Sequence, residues 1–218
     1  MKQRHYGTRF GGNEEDFENL FSNYVKNLSQ DKNFTYLEVG VDEGKTFKCI
    51  VDIVKEKKIY NNYFVAIDIT DITKSTWQNN FKEVNIIYGR EVNLLKDVPN
   101  FIICDANLIL KNSWDKEIDI CFIDACHGYE CVKSNFLNVE KFIKTGGYVI
   151  FHDAGIPEQN TDYQPHCGEK INVRKSIVDL GLIENKNPKW FFIKETNGTR
   201  KIGLNGNSSI IIQKIVNE

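Results

Sequence analysis

Short, almost wholly apolar runs alternate along the chain with segments whose apolar residues recur every three or four positions. FTYLEVG (34–40), YFVAIDI (63–69), FIICDAN (101–107), IDICFIDA (118–125) and GGYVIFHDA (146–154) read as strands. The last is entered through a Gly-Gly turn. Runs this continuous belong to strands covered on both faces, so a mainly parallel sheet flanked by helices is expected. KWFFIKE (189–195) and SSIIIQKIV (208–216) read as two closing strands, with ETNGTRKIGLNGN as a hairpin connection between them. Phe47, Ile50, Val51 and Val54 share one helical face, as do Val132, Phe136, Val139 and Ile143 within 129–144. Another helix is expected from Asn172 to Leu180. Residues 13–28 form an amphipathic pattern through Phe17, Leu20, Phe21, Tyr24, Val25 and Leu28, capped by Asn13, with Glu14, Glu15 and Asp16 at its positive end. Residues 70–100 give no clear element and are long for one helix.

No repeat, low-complexity tract or linker divides the 218 residues, so one domain spanning 1–218 is expected, with an N-terminal helical extension over about 1–32. Such a chain buries roughly 70 % of its unfolded surface and needs no covalent staples. A net charge of −2 gives no field for capturing polyanions, which disfavours nucleic acid as a partner. No apolar run approaches the ~20 residues of a membrane span. MKQRHYGTRFGG lacks the apolar centre of a signal peptide, so a cytoplasmic protein is expected. In that compartment Cys49, Cys104, Cys121, Cys126, Cys131 and Cys167 default to buried or inert thiols.

Candidate chemistry changes this picture of an ordinary α/β protein. Glu38, Asp68, Asp105, Asp124 and Asp153 stand at the carboxyl ends of five successive strands. Ligands of open α/β sheets bind outside those ends, and capping alone does not explain an acid at each. The first turn, EVGVDEGKTF, has glycines at 40 and 44, which permit a sharp turn and close approach of a ligand to the backbone. It lacks GxGxxG, and Val39 stands where a phosphate-binding loop needs glycine, so a pyrophosphate cradle is not expected.

In their order, LEVGVDEGKT, VAIDI, ICDAN, IDICFIDACHGYE and GGYVIFHDA resemble the five motifs of class I S-adenosylmethionine-dependent methyltransferases, over about 35–155. The form FIDACHGYE…GGYVIFHD is most similar to the subgroup of macrocin and rhamnosyl O-methyltransferases and cephalosporin hydroxylase-like proteins. The resemblance implies a Rossmann-like three-layer sandwich with a seven-stranded, mainly parallel sheet of strand order 3-2-1-4-5-7-6. It implies cofactor contacts from Glu38, Gly40, Gly44, Thr46, Asp68, Ile69, Asp105, Ala106 and Asp124. Asp68 would accept from the ribose hydroxyls, Asp105 from the adenine amine, and Ile69 would pack on the ring. Glu38 has an equal claim to be a turn-organising acid.

The stretch CFIDACHGYEC (121–131) gathers thiols, acids and an imidazole. Its cysteines are spaced by five rather than as CxxC pairs, which argues against structural zinc. Cys126 and His127 are adjacent, a poor geometry for a nucleophile and its base. By resemblance to the metal-dependent O-methyltransferases, Asp124 and Asp153 would hold Mg²⁺ or Mn²⁺, and His127 would take the acceptor's proton. A cation lowers a hydroxyl's pKa, and an imidazole titrates near neutrality. Relatives place a second acid or amide beside the fifth-strand aspartate, whereas here the neighbours are His152 and Ala154. His152 is expected to be structural, and Glu130 to start the following helix.

The reading is therefore O-methylation of a hydroxyl on a sugar or another small polar metabolite. Arg9, Tyr163 and His166 are the candidate acceptor contacts, and a homo-oligomer is compatible with it. The alternatives are an N-methyltransferase, a metal-free enzyme and a catalytically silent cofactor-binding module. A nicotinamide oxidoreductase is a weaker alternative, because the first glycine turn is wrong for it.

Overall fold

A computed structural model describes residues 33–41, 44–71, 81–155, 171–195 and 209–216. The expected helix at 13–28, the hairpin connection, Arg9, Tyr163 and His166 lie outside them. Among the described residues, eight strands form one sheet: β1 (Thr35–Val39), β2 (Tyr63–Asp68), β3 (Asn85–Tyr88), β4 (Pro99–Ile103), β5 (Ile118–Ile123), β6 (Ile143–Phe151), β7 (Trp190–Glu195) and β8 (Ile210–Lys214). Their order is β3-β4-β2-β1-β5-β6-β8-β7. Without β3 this is the expected seven-stranded order. The added strand comes from the part of the chain that showed no clear pattern, and it pairs parallel to β4 at the sheet edge. β8 runs antiparallel to both of its neighbours, β6 and β7, and the other pairs are parallel.

Strand parity divides the core in two. Leu37, Val39, Val65, Ile67, Cys121 and Ile123 meet one apolar cluster, which includes residues of α2 (Ala106–Asn112), α3 (Tyr129–Val139) and α4 (Val173–Asp179). Tyr36, Phe64, Ala66, Phe101, Ile120 and Phe122 meet the other, built on α1 (Lys45–Glu56). Phe47, Ile50, Val51 and Val54 of α1 are buried as their spacing predicts. Each such side chain contributes about 1.5–3 kcal/mol on removal from water. The centre of the sheet is thus covered on both faces, which is why its strands are apolar at most positions.

Two boundaries differ from expectation. Ile143 does not end the helix; it opens β6, after a short 3₁₀ turn at Glu140–Phe142. The glycines 146 and 147 are not a turn before the strand but part of a bulge within it, where the register against β5 shifts between Ile118 and Ile120. Gly146 takes φ +83°, and a Cβ on Gly147 would stand 2.9 Å from the carbonyl oxygens of Asp119 and Lys144.

At the amino end of the sheet the buried Asp119 accepts from Lys144 Nζ (2.8 Å) and from the Thr35 amide (2.8 Å). A cavity of about 270 Å³ opens near it, between Asp115–Glu117, Lys141–Ile143 and Lys214. Both features are remote from the carboxyl ends of the strands. No helix among the described residues is long and apolar enough to cross a membrane.

Candidate active site

The sheet reverses its winding at β1, with β2 on one side and β5 on the other, and this is where a ligand crevice belongs. Val39 pairs with Ile67 and Ile123, and Ile123 with Phe151. The ladder then runs one residue beyond the strands. Gly40 N donates to Ile67 O (2.9 Å), Asp124 N to Val39 O (2.8 Å), His152 N to Ile123 O (3.0 Å) and Cys104 N to Asp68 O (2.9 Å). Asp68, Gly40, Asp124 and His152 therefore share one rung, at ~4.8 Å per strand.

Gly40 is the tightest point of this rung. Its φ is +83°, and a Cβ there would lie 2.4 Å from Asp124 O and 2.5 Å from Ala125 Cα. The glycine thus serves first to let the β1 and β5 turns touch. Gly44, at φ 66°, caps α1 and donates from its amide to Val41 O (2.8 Å). Thr46 is half-buried in the first turn of that helix.

Asp68 ties two turns together: Oδ2 accepts from Val41 N (2.9 Å) and Oδ1 from Thr70 N (2.8 Å). Each oxygen keeps a second lone pair for a ligand hydroxyl. Ile69 beside it is 74 % exposed, open to a planar ring. Asp105 lies two residues past β4 rather than at its end; it caps α2 by accepting from Asn107 N (2.9 Å), and Ala106 begins the helix.

Glu38 departs from expectation. It lies within β1, is 2 % exposed, and accepts a 2.6 Å hydrogen bond from the Tyr36 hydroxyl, two residues away on the same face. Burial pushes its carboxyl well above the usual range. It stands beneath the rung, tied to β1 by the Tyr36 hydroxyl.

Past β5 and β6 four side chains converge. Asp124, His127, His152 and Asp153 each direct one donor atom inward, all within 4.8 Å of one another. His152 Nδ1 lies 3.0 Å from Asp124 Oδ1 and 3.3 Å from Asp153 Oδ1. His127 Nε2 lies 3.3 Å from Asp124 Oδ1 and 3.5 Å from Asp153 Oδ2. His127 is 4 % exposed, and its backbone carbonyl accepts from Asn172 N (2.9 Å), which fixes the turn. Burial pushes the Asp124 carboxyl up, but His152 and His127 outweigh it and hold it well below the carboxylate range. Burial pushes His152 down, but Asp124 and Asp153 outweigh it and hold the ring well above its usual value. Asp153 adopts φ 55°, a strained backbone of the kind found at functional sites.

His152, expected as structural, thus belongs to the cluster. Its ring packs on Phe122 with centroids 5.7 Å apart. The signal was its position: His152 follows Phe151 as Asp124 follows Ile123, so one rung carries both. The described cysteines stay out of the group. Cys121 is fully buried, and burial raises its thiol, which makes it inert. Glu130 stands in the first turn of α3 as expected.

The cluster also bears on a metal. Asp153 Oδ1 is buried and takes no hydrogen bond of good geometry among the described residues; the His152 ring faces it at 3.3 Å. Two of the four donors are nitrogen, so the set fits a nitrogen-accepting divalent ion better than Mg²⁺.

Residues 37–154, more than half of the chain, match the family model described as a methyltransferase domain. The uncharacterized protein R132 of Acanthamoeba polyphaga mimivirus is 25 % identical over 180 residues, which cover 83 % of this chain and 73 % of that one. A putative O-methyltransferase from Klebsiella pneumoniae superposes with a TM-score of 0.62 at 13 % identity, covering 94 % of this chain and 81 % of that one. The N-methyltransferase NodS from Bradyrhizobium japonicum, in complex with S-adenosyl-l-homocysteine, gives 0.60 at 12 % identity, covering 97 % and 91 %. At such identities the two structures attest the shared fold, while the family match spans the glycine turn, the rung and the cluster. The chain belongs to the methyltransferase-domain family, and the enzyme is an S-adenosylmethionine-dependent methyltransferase.

Proposed function

We propose that the enzyme methylates a hydroxyl oxygen of a small polar acceptor, such as a sugar, with His127 as the general base and Asp124 as its partner. The observation that carries this is the convergence of Asp124, His127, His152 and Asp153 beside the Gly40 switch point. A hydroxyl is a poor nucleophile until its proton leaves, and this cluster is a proton-accepting group placed at the ligand crevice. The motif form FIDACHGYE…GGYVIFHD supports the macrocin-like O-methyltransferase subgroup.

The donor would lie along Gly40–Gly44 and Thr46, with its ribose at Asp68, and Ile69, Asp105 and Ala106 around the adenine. A carboxylate-rich rung suits the cationic sulfonium. The acceptor oxygen forms its bond to the methyl carbon as the carbon–sulfur bond breaks. That electron pair stays on sulfur, and the hydroxyl proton passes to the His127 imidazole. Positive charge arriving on the ring is met by carboxylate oxygens at 3.3 and 3.5 Å. Methyl transfer needs the two reactants held close and in line, which a rung of fixed spacing provides.

His127→Ala is expected to cut methyl transfer by about 10²-fold or more while leaving S-adenosylhomocysteine affinity intact. An acceptor screen over nucleotide sugars, read as methylated product by mass spectrometry, supplies the assay. Unchanged turnover in the variant removes His127 from the role. Asp68→Asn is expected to weaken S-adenosylhomocysteine binding by about tenfold, because an amide group must turn its own N–H toward one of two backbone donors. Isothermal calorimetry checks it, and unaltered affinity would place the ribose elsewhere.

A further inference from the structure

We propose that Ser176 is a positioning residue for methyl transfer: from inside α4 its hydroxyl clamps the turn that carries His127, and so sets where the imidazole stands against Asp124 and Asp153. The inference rests on the reading of His127 as the general base, and it adds the element that holds the base in place.

Asp124 and His127 are anchored differently. Asp124 belongs to the rung through its amide and Val39 O. His127 comes three residues later, past the end of β5 and before α3. There the chain is tied to the segment that opens α4. Asn172 N donates to His127 O (2.9 Å), and Gly128 forms an antiparallel bridge with Ile171. Ser176 Oγ donates to Tyr129 O (2.9 Å) and also lies 3.1 Å from Asn172 O. The hydroxyl thus joins the residue that holds His127 O to the residue two places beyond His127. α4 itself is seated by Val173 and Ile177, which are buried in the core. The distances of 3.3 and 3.5 Å from His127 Nε2 to the two carboxylates therefore depend on two supports, the ladder on one side and α4 on the other.

The residue type points the same way. Ser176 is fully buried in a seven-residue helix. Alanine there would favour the helix and bury no polar atom. A buried hydroxyl is costly unless it is hydrogen-bonded, and a bond to the Asn172 carbonyl of its own helix adds no tertiary support. The contact with Tyr129 O is what the hydroxyl supplies and alanine cannot. A displacement of about 1 Å between reacting groups costs on the order of 10²-fold in rate, so a clamp at this distance from the base matters.

The histidine ring signals of the isotope-labelled full chain, saturated with S-adenosylhomocysteine, test this by nuclear magnetic resonance. The sequence has four histidines, and His127→Ala assigns the signal of interest. In Ser176→Ala the His127 Cε1–Hε1 signal is expected to shift or broaden, while that of His152, fixed on the ladder, moves less. Arg174→Ala removes the exposed pair between α4 and Glu195, at 2.7 and 3.1 Å, and should leave the His127 signal unmoved. With the acceptor from the nucleotide-sugar screen, kcat should fall about tenfold in Ser176→Ala, and the KM for S-adenosylmethionine should stay within about twofold. An unmoved His127 signal in Ser176→Ala, an equal movement of His152, or an equal effect of Arg174→Ala overturns the proposal. So does an unchanged kcat where His127→Ala loses turnover. If the signal moves in Ser176→Ala but His127→Ala keeps full turnover, the clamp on His127 stands and the base assignment falls.

Discussion

Gly40→Ala is expected to destabilise the enzyme by roughly 2–6 kcal/mol, enough to consume most of the stability of an ordinary domain. Two costs coincide at this residue. The backbone sits at φ +83°, and the added methyl would meet Asp124 O at 2.4 Å, Ala125 Cα at 2.5 Å and Ala125 N at 2.6 Å. All three are backbone atoms, which cannot swing aside as a side chain could. Gly146 offers an internal control. It has the same φ of +83°, but nothing lies within 4 Å of its would-be Cβ. Gly146→Ala should therefore cost only the conformational share, about 1–2 kcal/mol. Thermal and urea unfolding of the two variants measure the difference. Equal losses would mean that the contact between the β1 and β5 turns is soft, and the account of Gly40 given above would fall.

Asp124→Asn should lower methyl transfer by about 10³-fold or more, beyond the effect at His127. Asp124 Oδ1 is shared by both imidazoles, at 3.0 Å from His152 Nδ1 and 3.3 Å from His127 Nε2. An amide keeps the shape and one acceptor but removes the charge that opposes both rings. It also withdraws one carboxylate from the cluster of four side chains. Folding should survive with a loss of about 1–3 kcal/mol, since the side chain is partly open to solvent. Single-turnover transfer with bound donor, alongside calorimetry with S-adenosylhomocysteine, separates chemistry from binding. Turnover within tenfold of the parent enzyme would show that the cluster is not where the proton goes.

Much of this architecture can be read from one-dimensional patterns, and the reason is physical. Strands covered on both faces are apolar at most positions, so β1, β2, β4, β5 and β6 stand out, and the acids at or just past their ends mark the crevice. Asp68 and Asp124 were legible for this reason. Glu38 reads as a strand-end acid because one residue from the end of β1 looks the same in sequence as the end itself. Only the structure shows the Tyr36 hydroxyl that makes its burial tolerable. His152 was undervalued because its meaning depends on register between strands, which a single chain does not display. β3 was missed because NIIY is a four-residue edge strand with half-exposed positions, too short for a periodicity to emerge. The bulge at Gly146 and Gly147 was read as a turn, since glycines announce unusual backbone without saying which kind.

The common rung of Asp68, Gly40, Asp124 and His152 has a consequence for how this protein can change over generations. Side chains alternate in and out along a strand, so one inserted or deleted residue within β1, β2, β5 or β6 would exchange the two faces and carry a site residue out of line. Substitution at the rung remains open, and a histidine where an oxygen donor could stand is one such exchange. Length variation is absorbed more easily between the strands, as the added β3 at the sheet edge illustrates. The centre of the sheet keeps count while its margins are free to grow.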